Sequence, residues 1–385
     1  MSPTAATTAG GTTQTRGNGQ RQQVVPTVPF IRASSEHREP TGIDTQKLML
    51  AADQDLGVFD IPAYGYVRSI VLVVTATGGA GAGVTAAEDG PWNVLKNIAL
   101  TEPNGAVINQ FNSGYDLAVG ANKWGGYRSP EGADPKASPR FSAVAAGSGN
   151  FTFVVRIPVE INLRDGLGSL PNQNAAATFK LRMTLAGSTQ VYGVVPGTLP
   201  TVRVRAYLEA WDQPEAVTAG QSNQTTPPAM NTTQFWSSQT YPVNIGQNTI
   251  RLTRVGNYIR NLVFILRRAG TSRVNGEADW ADPLTLYLDT RPLDIIENNN
   301  WLHQMYERTG FGGAGVANEA AKGLDNGVRV YDFMHEFDGV LGRENRDLWL
   351  PTLGSTRLEL QGNFANAGTL TVLTNDVAVA GSVFL

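Results

Sequence analysis

Along much of the chain apolar and polar residues alternate one for one. Phe151, Phe153, Val155, Ile157, Val159 and Ile161 are interleaved with Thr152, Val154, Arg156, Pro158 and Glu160. Phe179 to Leu185 and Val202 to Leu208 repeat the pattern, with Lys180, Arg182, Arg203 and Arg205 at alternate positions. A period of two puts every second side chain on one face of an extended segment, so each of these predicts a strand buried on one side. Asn248 to Val255, Leu284 to Leu288, Thr356 to Leu360 and Thr369 to Leu373 read the same way. Turn signals separate the segments, among them Pro103-Asn104-Gly105, Asp165-Gly166 and Asp338-Gly339. Helical periodicity is scarce. Many short strands between Gly-rich turns predict an all-β fold of antiparallel sandwiches rather than parallel βαβ units.

One segment recurs. Tyr66 to Val74 (YVRSIVLVV) and Tyr258 to Leu266 (YIRNLVFIL) match without a gap at an offset of 192 residues. Tyr66/Tyr258, Arg68/Arg260 and Val71/Val263 are identical, Ser69/Asn261 stays polar, and the same offset sets Val58 against Ile250. The offset is close to half of the 385 residues, which predicts two copies of one sandwich in tandem. From Gln213 to Thr233 the chain turns polar and carries Pro214, Gly220, Pro227 and Pro228, the composition of a linker. Residues 1–40 are rich in Thr, Gly, Gln and Pro and poor in large apolar side chains, so they read as an arm. The expected organisation is an arm over 1–40, a first sandwich over 41–213, a linker over 214–233 and a second sandwich over 234–385. Long loops follow both copies of the repeated strand, at Gly78 to Gly83 and Ala269 to Pro283, and are expected at the same end of each sandwich.

Composition narrows the function. Charged residues make up 16% of the chain, against about 25% in typical soluble domains. Interface cores are depleted in charge, so this scarcity suits a surface presented to other subunits. With 30 basic and 33 acidic side chains the net charge is −3, and no overall cationic field exists to hold a polyanion. The absence of Cys excludes thiol catalysis, Cys-ligated zinc, iron–sulfur clusters and disulfides together. The longest apolar runs, Ile70 to Val74 and Val377 to Leu385, fall short of the roughly 20 residues that span a bilayer as a helix. The first residues lack the charged start and apolar stretch of a secretory signal. Within the first 35 residues Arg16, Arg21 and Arg32 are the only charges. A basic arm of this kind suits contact with phosphate groups, and a solvated tail is the alternative.

The chemical motifs are thin. Gly310 to Gly315 (GFGGAG) satisfies G-x-G-x-x-G, but Trp301 to Arg308 before it reads as helix or loop, whereas a dinucleotide fingerprint needs a preceding strand. His37, His303 and His335 are far apart in sequence. The one dense cluster, Asp332, His335, Glu336 and Asp338, would on a strand point His335 away from the three carboxylates, which favours a solvated strand or a subunit contact over a metal site. No G-x-S-x-G occurs, and nothing pairs two carboxylates as a glycosidase requires. The seven Trp residues are scattered over both halves and read as core or interface anchors rather than a sugar platform. No catalytic, cofactor-binding or metal-ligating residue is expected, and the chain is read as a non-enzyme.

Several segments together resemble a known family. They are Val58 to Ile61 leading into the Tyr66 to Val74 strand, Asp89 to Leu100, Phe179 to Leu185, Tyr207 to Pro214, and Glu344 to Asp347, in order over residues 56 to 375. In these the chain resembles the double jelly-roll major capsid proteins of tectivirus-type bacteriophages, tailless icosahedral phages with an internal membrane. The resemblance implies two tandem eight-stranded jelly rolls, few short helices, and a homotrimer of pseudo-hexagonal outline that tiles an icosahedral shell around a membrane. It further implies a structural virion protein, assembled in the host bacterial cytoplasm, whose partners are neighbouring capsid trimers and penton and minor capsid proteins, with no cofactor and no specific nucleic acid. The arm, through Arg16, Arg21 and Arg32, would meet internal membrane lipids or neighbouring subunits. The family's N-terminal segment has helical character, yet Gly10, Gly11, Gly17 and Gly19 oppose helix here and leave Thr45 to Ala52 as the helical candidate. Two other readings stay open: a carbohydrate-binding or hydrolysing β-sandwich protein, and a receptor-binding virion spike.

Overall fold

The computed structural model describes residues 36–125, 147–161, 166–212, 216–217, 221–222, 233–268, 272–274, 277–309, 325–334 and 348–378. Sixteen main strands fall into two sets of eight. The first set is β1 (Glu36–Leu48), β2 (Gln54–Asp60), β3 (Tyr66–Thr77), β4 (Leu95–Thr101), β5 (Val107–Ser113), β6 (Phe151–Pro158), β7 (Lys180–Leu185) and β8 (Thr201–Trp211). The second is β9 (Gln234–Val243), β10 (Gly246–Leu252), β11 (Tyr258–Arg268), β12 (Leu284–Leu288), β13 (Arg291–Ile296), β14 (Val328–Asp332), β15 (Leu358–Phe364) and β16 (Gly368–Val377).

The two sets share one topology. In the first, β1-β8-β3-β6 form one sheet and β2-β7-β4-β5 the other; in the second the orders are β9-β16-β11-β14 and β10-β15-β12-β13. Raising each strand number of the first set by eight reproduces the second. The short strand Leu170–Pro171 pairs with Tyr66 and Val67, and Leu350–Pro351 pairs with Tyr258 and Ile259 in the same register. Tyr66 and Tyr258 therefore hold equivalent places, and the sequence repeat is a structural duplication.

The alternation read from the sequence is the burial pattern. Phe151, Phe153, Val155 and Ile157 on β6 and Leu181, Met183 and Leu185 on β7 are buried, while their polar neighbours are not. Removing such side chains from water supplies roughly 1.5–3 kcal/mol each, the main drive for the sandwich to close. The rolls also share a sheet. Trp236 of β9 lies parallel to Asn109 of β5, so β14-β11-β16-β9 of the second roll continues into β5-β4-β7-β2 of the first.

Several local expectations change. Thr45 to Ala52 is not a helix: Thr45 to Leu48 pair with Val204 to Thr201 as the end of β1, and an available sheet edge overrides local propensity. Glu36 to Pro40, placed in the arm, pair with Trp211 to Tyr207. Val58 and Ile250 share the sequence offset but not a face, because a bulge between Asp55 and Gly57 shifts the phase of β2. Gly57 takes φ +100 there and its N–H donates to Asp55 Oδ1 at 2.9 Å. One extra residue flips every later side chain, so Val58 is 59% exposed and Ile250 buried.

Two helices matter to the site. α1 (Asn298–Thr309) takes up the stretch read as helix or loop and buries Trp301 and Met305, one turn apart. A π-helix, Asp116–Trp124, is buried at all nine positions, and a segment covered on every side shows no periodicity from which to predict it. The segment between the rolls contributes a short antiparallel pair, Ala216–Val217 with Gln221–Ser222. Among the described residues no helix is long and apolar enough to cross a membrane.

Candidate functional site: the junction between the rolls and the flanks beside it

Arg68 and Arg260, identical in the repeat, are each the extra residue of a β-bulge. Val67 faces Ala210 and Ser69 faces Glu209, leaving Arg68 between; Ile259 faces Asp376 and Asn261 faces Asn375, leaving Arg260 between. A bulge re-aims its side chain, and here it turns a cation into the protein. A buried guanidinium is tolerated only with partners. Arg68 Nε and Nη2 each donate to Glu160 Oε1 at 3.0 Å, and its guanidinium lies 3.9 Å from the centre of the Trp211 ring. Trp211 Nε1 donates to Glu160 Oε2 at 3.0 Å. Arg260 Nη1 donates to Gln234 Oε1 at 3.1 Å and Asn375 Oδ1 at 2.8 Å, beside the Trp349 ring.

The two arginine sites are linked. Gln234, at the start of β9, donates through Nε2 to the Glu160 carbonyl at 2.6 Å, and Thr233 Oγ1 donates to the Val159 carbonyl at 2.6 Å. The end of β6 and the start of the second roll are thereby tied where the guanidinium groups are held.

Further along the junction the π-helix of the first roll lies against the second roll. A Cβ on Gly120 would stand 2.1 Å from Leu373 Cδ1, so glycine is what permits this approach. Asn261 Nδ2 donates to the Trp124 carbonyl at 3.1 Å, Trp124 Nε1 donates to Asp325 Oδ1 at 3.0 Å, and Lys123 forms a buried ion pair with Asp325. Arg267 Nη2 and Arg273 Nε each reach Asp89 at 2.8 Å, and both guanidinium groups lie over Tyr115. Burial opposes the charge on Arg267, but Asp89 and Asp116 outweigh it and raise its pKa. Burial pushes the Asp116 carboxyl up, against hydrogen bonds from Ser238 and Ser113 that favour its charged form; Oδ2 accepts from Ser238 Oγ at 3.2 Å.

The outer sheet faces of the rolls differ. On β3 the inward Ile70, Leu72, Val74 and Ala76 are buried while Val71, Val73 and Thr75 are only half-buried. On β11 both rows are buried from Ile259 to Leu266, because the first roll covers the outer one. β8 and β16 repeat the contrast: Arg203, Arg205 and Tyr207 alternate with buried neighbours, whereas Leu370 to Val377 are buried throughout.

At the foot of the first roll, His37 packs against Tyr64 with ring centres 4.9 Å apart and planes tilted by 34°, and the Tyr64 hydroxyl donates to Asp212. Burial, and then the hydrogen bond to Asp212, push the Tyr64 hydroxyl up to about 12. This cluster joins the first and last strands of the roll and carries no pattern that sequence reading can isolate.

The singled-out residues are distributed as follows. Arg16, Arg21, Arg32, Gly310 to Gly315, His335, Glu336 and Asp338 lie outside the described residues. Asp332 ends β14, where its Oδ1 accepts from the Met334 N–H at 2.7 Å. No group of three or more His, Cys, Asp or Glu fit to hold a metal occurs among the described residues. All seven Trp residues are buried, at 5% exposure or less, as core or junction anchors. A cleft of about 310 Å³ at the loop end of the second roll is lined by Trp280, Asp282, Asn298, Asn299 and Asn363 with two alanines. Asp282 is its one carboxylate, half of what a glycosidase needs.

No family model matches the sequence, and no curated protein does. Solved structures do. The major capsid protein of STIV, the Sulfolobus turreted icosahedral virus, is similar over 91% of this chain and 99% of its own, with a TM-score of 0.60 at 11% identity. The PBCV-1 virus capsid protein is similar over 89% of this chain and 93% of its own, with a TM-score of 0.58 at 12% identity. The fold is the double jelly roll of viral capsid proteins. Within that fold the junction is the contact between the two rolls of one chain, and the flanks beyond it are where each roll meets its surroundings.

Proposed function

We propose that this protein is the major capsid subunit of an icosahedral virus, a structural protein without catalysis. The observation that carries the reading is the duplicated eight-stranded roll with a shared junction, matched over nine-tenths of the chain by capsid proteins of the same architecture. A chain of two like rolls is a tile: three copies bring six similar flanks around one axis, and a head-to-tail contact of this kind closes into a ring. The low charged fraction suits the obligate interfaces of such a homotrimer.

In the fuller reading, trimers pack with one another and with penton and minor capsid proteins around the internal membrane of a bacteriophage. Arg16, Arg21 and Arg32 meet lipid headgroups or neighbouring subunits. The expected location is the virion capsid, after assembly in the bacterial cytoplasm. Buried Trp residues and a cleft with a single carboxylate favour this over a glycan-binding or hydrolysing sandwich.

Light scattering on a sizing column tests the core of the reading, with a stable species expected at about three times the 41.2 kDa chain mass. A strict monomer at micromolar concentration would refute it. Removing residues 1–35 is expected to leave the trimer soluble and to block particle assembly; normal particles from the truncated chain would remove the arm's role. A spike would be a minor band among purified particles, whereas a shell subunit dominates them.

A further inference from the structure

We infer that Lys123 and Asp325 condense, with no other reactant, into an isopeptide bond that joins the two rolls of one chain covalently. The inference concerns the single subunit and does not depend on self-assembly.

Lys123 is the one buried lysine among the described residues. It sits near the end of the π-helix with its side chain 5% exposed, and its Nζ meets Oδ2 of Asp325, which is 0% exposed and belongs to the second roll. The surface pairs differ: Lys96–Asp53 and Lys180–Asp60 leave 27% to 64% of their side chains open. Water there solvates both charges and competes with the amine for the carboxyl carbon, so the pair stays an ion pair. The buried arginine pairs are inert for another reason, because a guanidinium does not give up its proton in a protein. The chemistry is confined to one site.

The surroundings suit the reaction. Trp124 Nε1 donates to the other carboxylate oxygen, Asp325 Oδ1, at 3.0 Å, where negative charge collects when a nitrogen adds to Cγ. The Trp124 ring lies 4.9 Å from Nζ. Both backbones are held: the Trp124 carbonyl accepts from Asn261 Nδ2 at 3.1 Å, and the Asp325 carbonyl from the Val328 N–H at 2.9 Å. Reactants fixed in contact need little further ordering to meet. One proton passes from Nζ to Oδ2, and the neutral amine adds to Cγ. A second proton then follows from the nitrogen to the same oxygen, Oδ2 leaves as water, and Oδ1 returns to a carbonyl. Ammonium and carboxylate thus become amide and water, with no oxidant or activated group consumed. Condensation also removes two buried charges, and with them the cost of holding those charges out of water. The bond ties the π-helix to the chain just ahead of β14, 202 positions away, in a protein that has no cysteine to make such a link.

Mass spectrometry of the full-length protein, purified and then denatured, decides the matter. The wild type is expected to weigh one water molecule less than its sequence, and Lys123→Met and Asp325→Ala to show their full sequence masses. Asp325→Asn should lose one ammonia instead, since the amine then displaces the carboxamide nitrogen. A tryptic digest of the wild type should contain a branched peptide joining the two positions, a readout that requires no variant to fold. Ring closure at an Asp-Gly step such as Asp89-Gly90 also loses water, but it would persist in Lys123→Met and give no branched peptide. A wild type at full mass, or a water loss that survives Lys123→Met, overturns the inference and leaves the capsid reading untouched.

Discussion

β3 and β11 are two copies of one strand in two surroundings. They share their tyrosine, their bulged arginine and a buried apolar inward row, yet the outward row is half-open on β3 and buried on β11. The difference comes from what lies outside each sheet: the π-helix of the first roll covers β11, and among the described residues nothing covers β3 to that extent. A duplicated sequence therefore carries the same sandwich twice, while its order along the chain assigns one copy to an internal junction and leaves the outward row of the other half-buried.

The comparison can be attacked first at the bulges. Arg68→Ala would leave Glu160 buried without its guanidinium, so a loss of about 3–5 kcal/mol in unfolding free energy is expected from urea denaturation. A loss under about 1 kcal/mol would mean that the ion pair does not hold the foot of the first roll.

The paired positions come next. Ile265→Ala is expected to cost about 2–5 kcal/mol, the range for a fully buried aliphatic side chain. Val73→Ala in unassembled protein should cost about 1 kcal/mol or less, because its site is only half-buried. Equal losses would erase the distinction between the two faces.

At the junction itself, Gly120→Ala drives a Cβ into Leu373 and should cost about 1–3 kcal/mol. Leu373→Ala in the same chain should recover part of that loss in a double-mutant cycle. Strict additivity would show that the π-helix does not pack there.

The smallest expected effect depends on pH. Burial raises the Asp116 carboxyl, so the folded chain binds that proton more tightly than the unfolded chain does. Its contribution is whole below the ordinary carboxyl range and is lost as pH rises through the folded value. Asp116→Asn should therefore gain on the wild type as pH is raised from about 4 toward neutrality, followed by thermal melts across that window. A difference that stays flat with pH would mean that the carboxyl is solvated in the folded protein.

Much of the fold was legible along the chain. β6, β7 and β8 announced themselves because one face meets a core and the other meets water, and a half-buried strand writes that asymmetry as alternation. Tyr66 and Tyr258 gave away the duplication because the same local environment, a Leu-Pro pair beside the strand and a bulge two residues on, was kept in both copies. The π-helix and the outer row of β11 were illegible for the opposite reason: covered on all sides, they have no polar face to mark a period. The bulge in β2 defeated the offset at Val58 because one inserted residue changes which face a side chain takes without changing its identity. Thr45 to Leu48 were misread as helix because their partner strand lies more than 150 residues away.

By itself, then, the amino-acid order determined the class of fold, its doubling and the scarcity of chemistry, since each is a matter of local periodicity or of which side chains exist at all. Tertiary structure decided which arginine partners which acceptor, which sheet face is closed from within the chain and which stays half-open. Those outcomes depend on contacts between residues far apart in sequence, and no local pattern of polar and apolar positions encodes them.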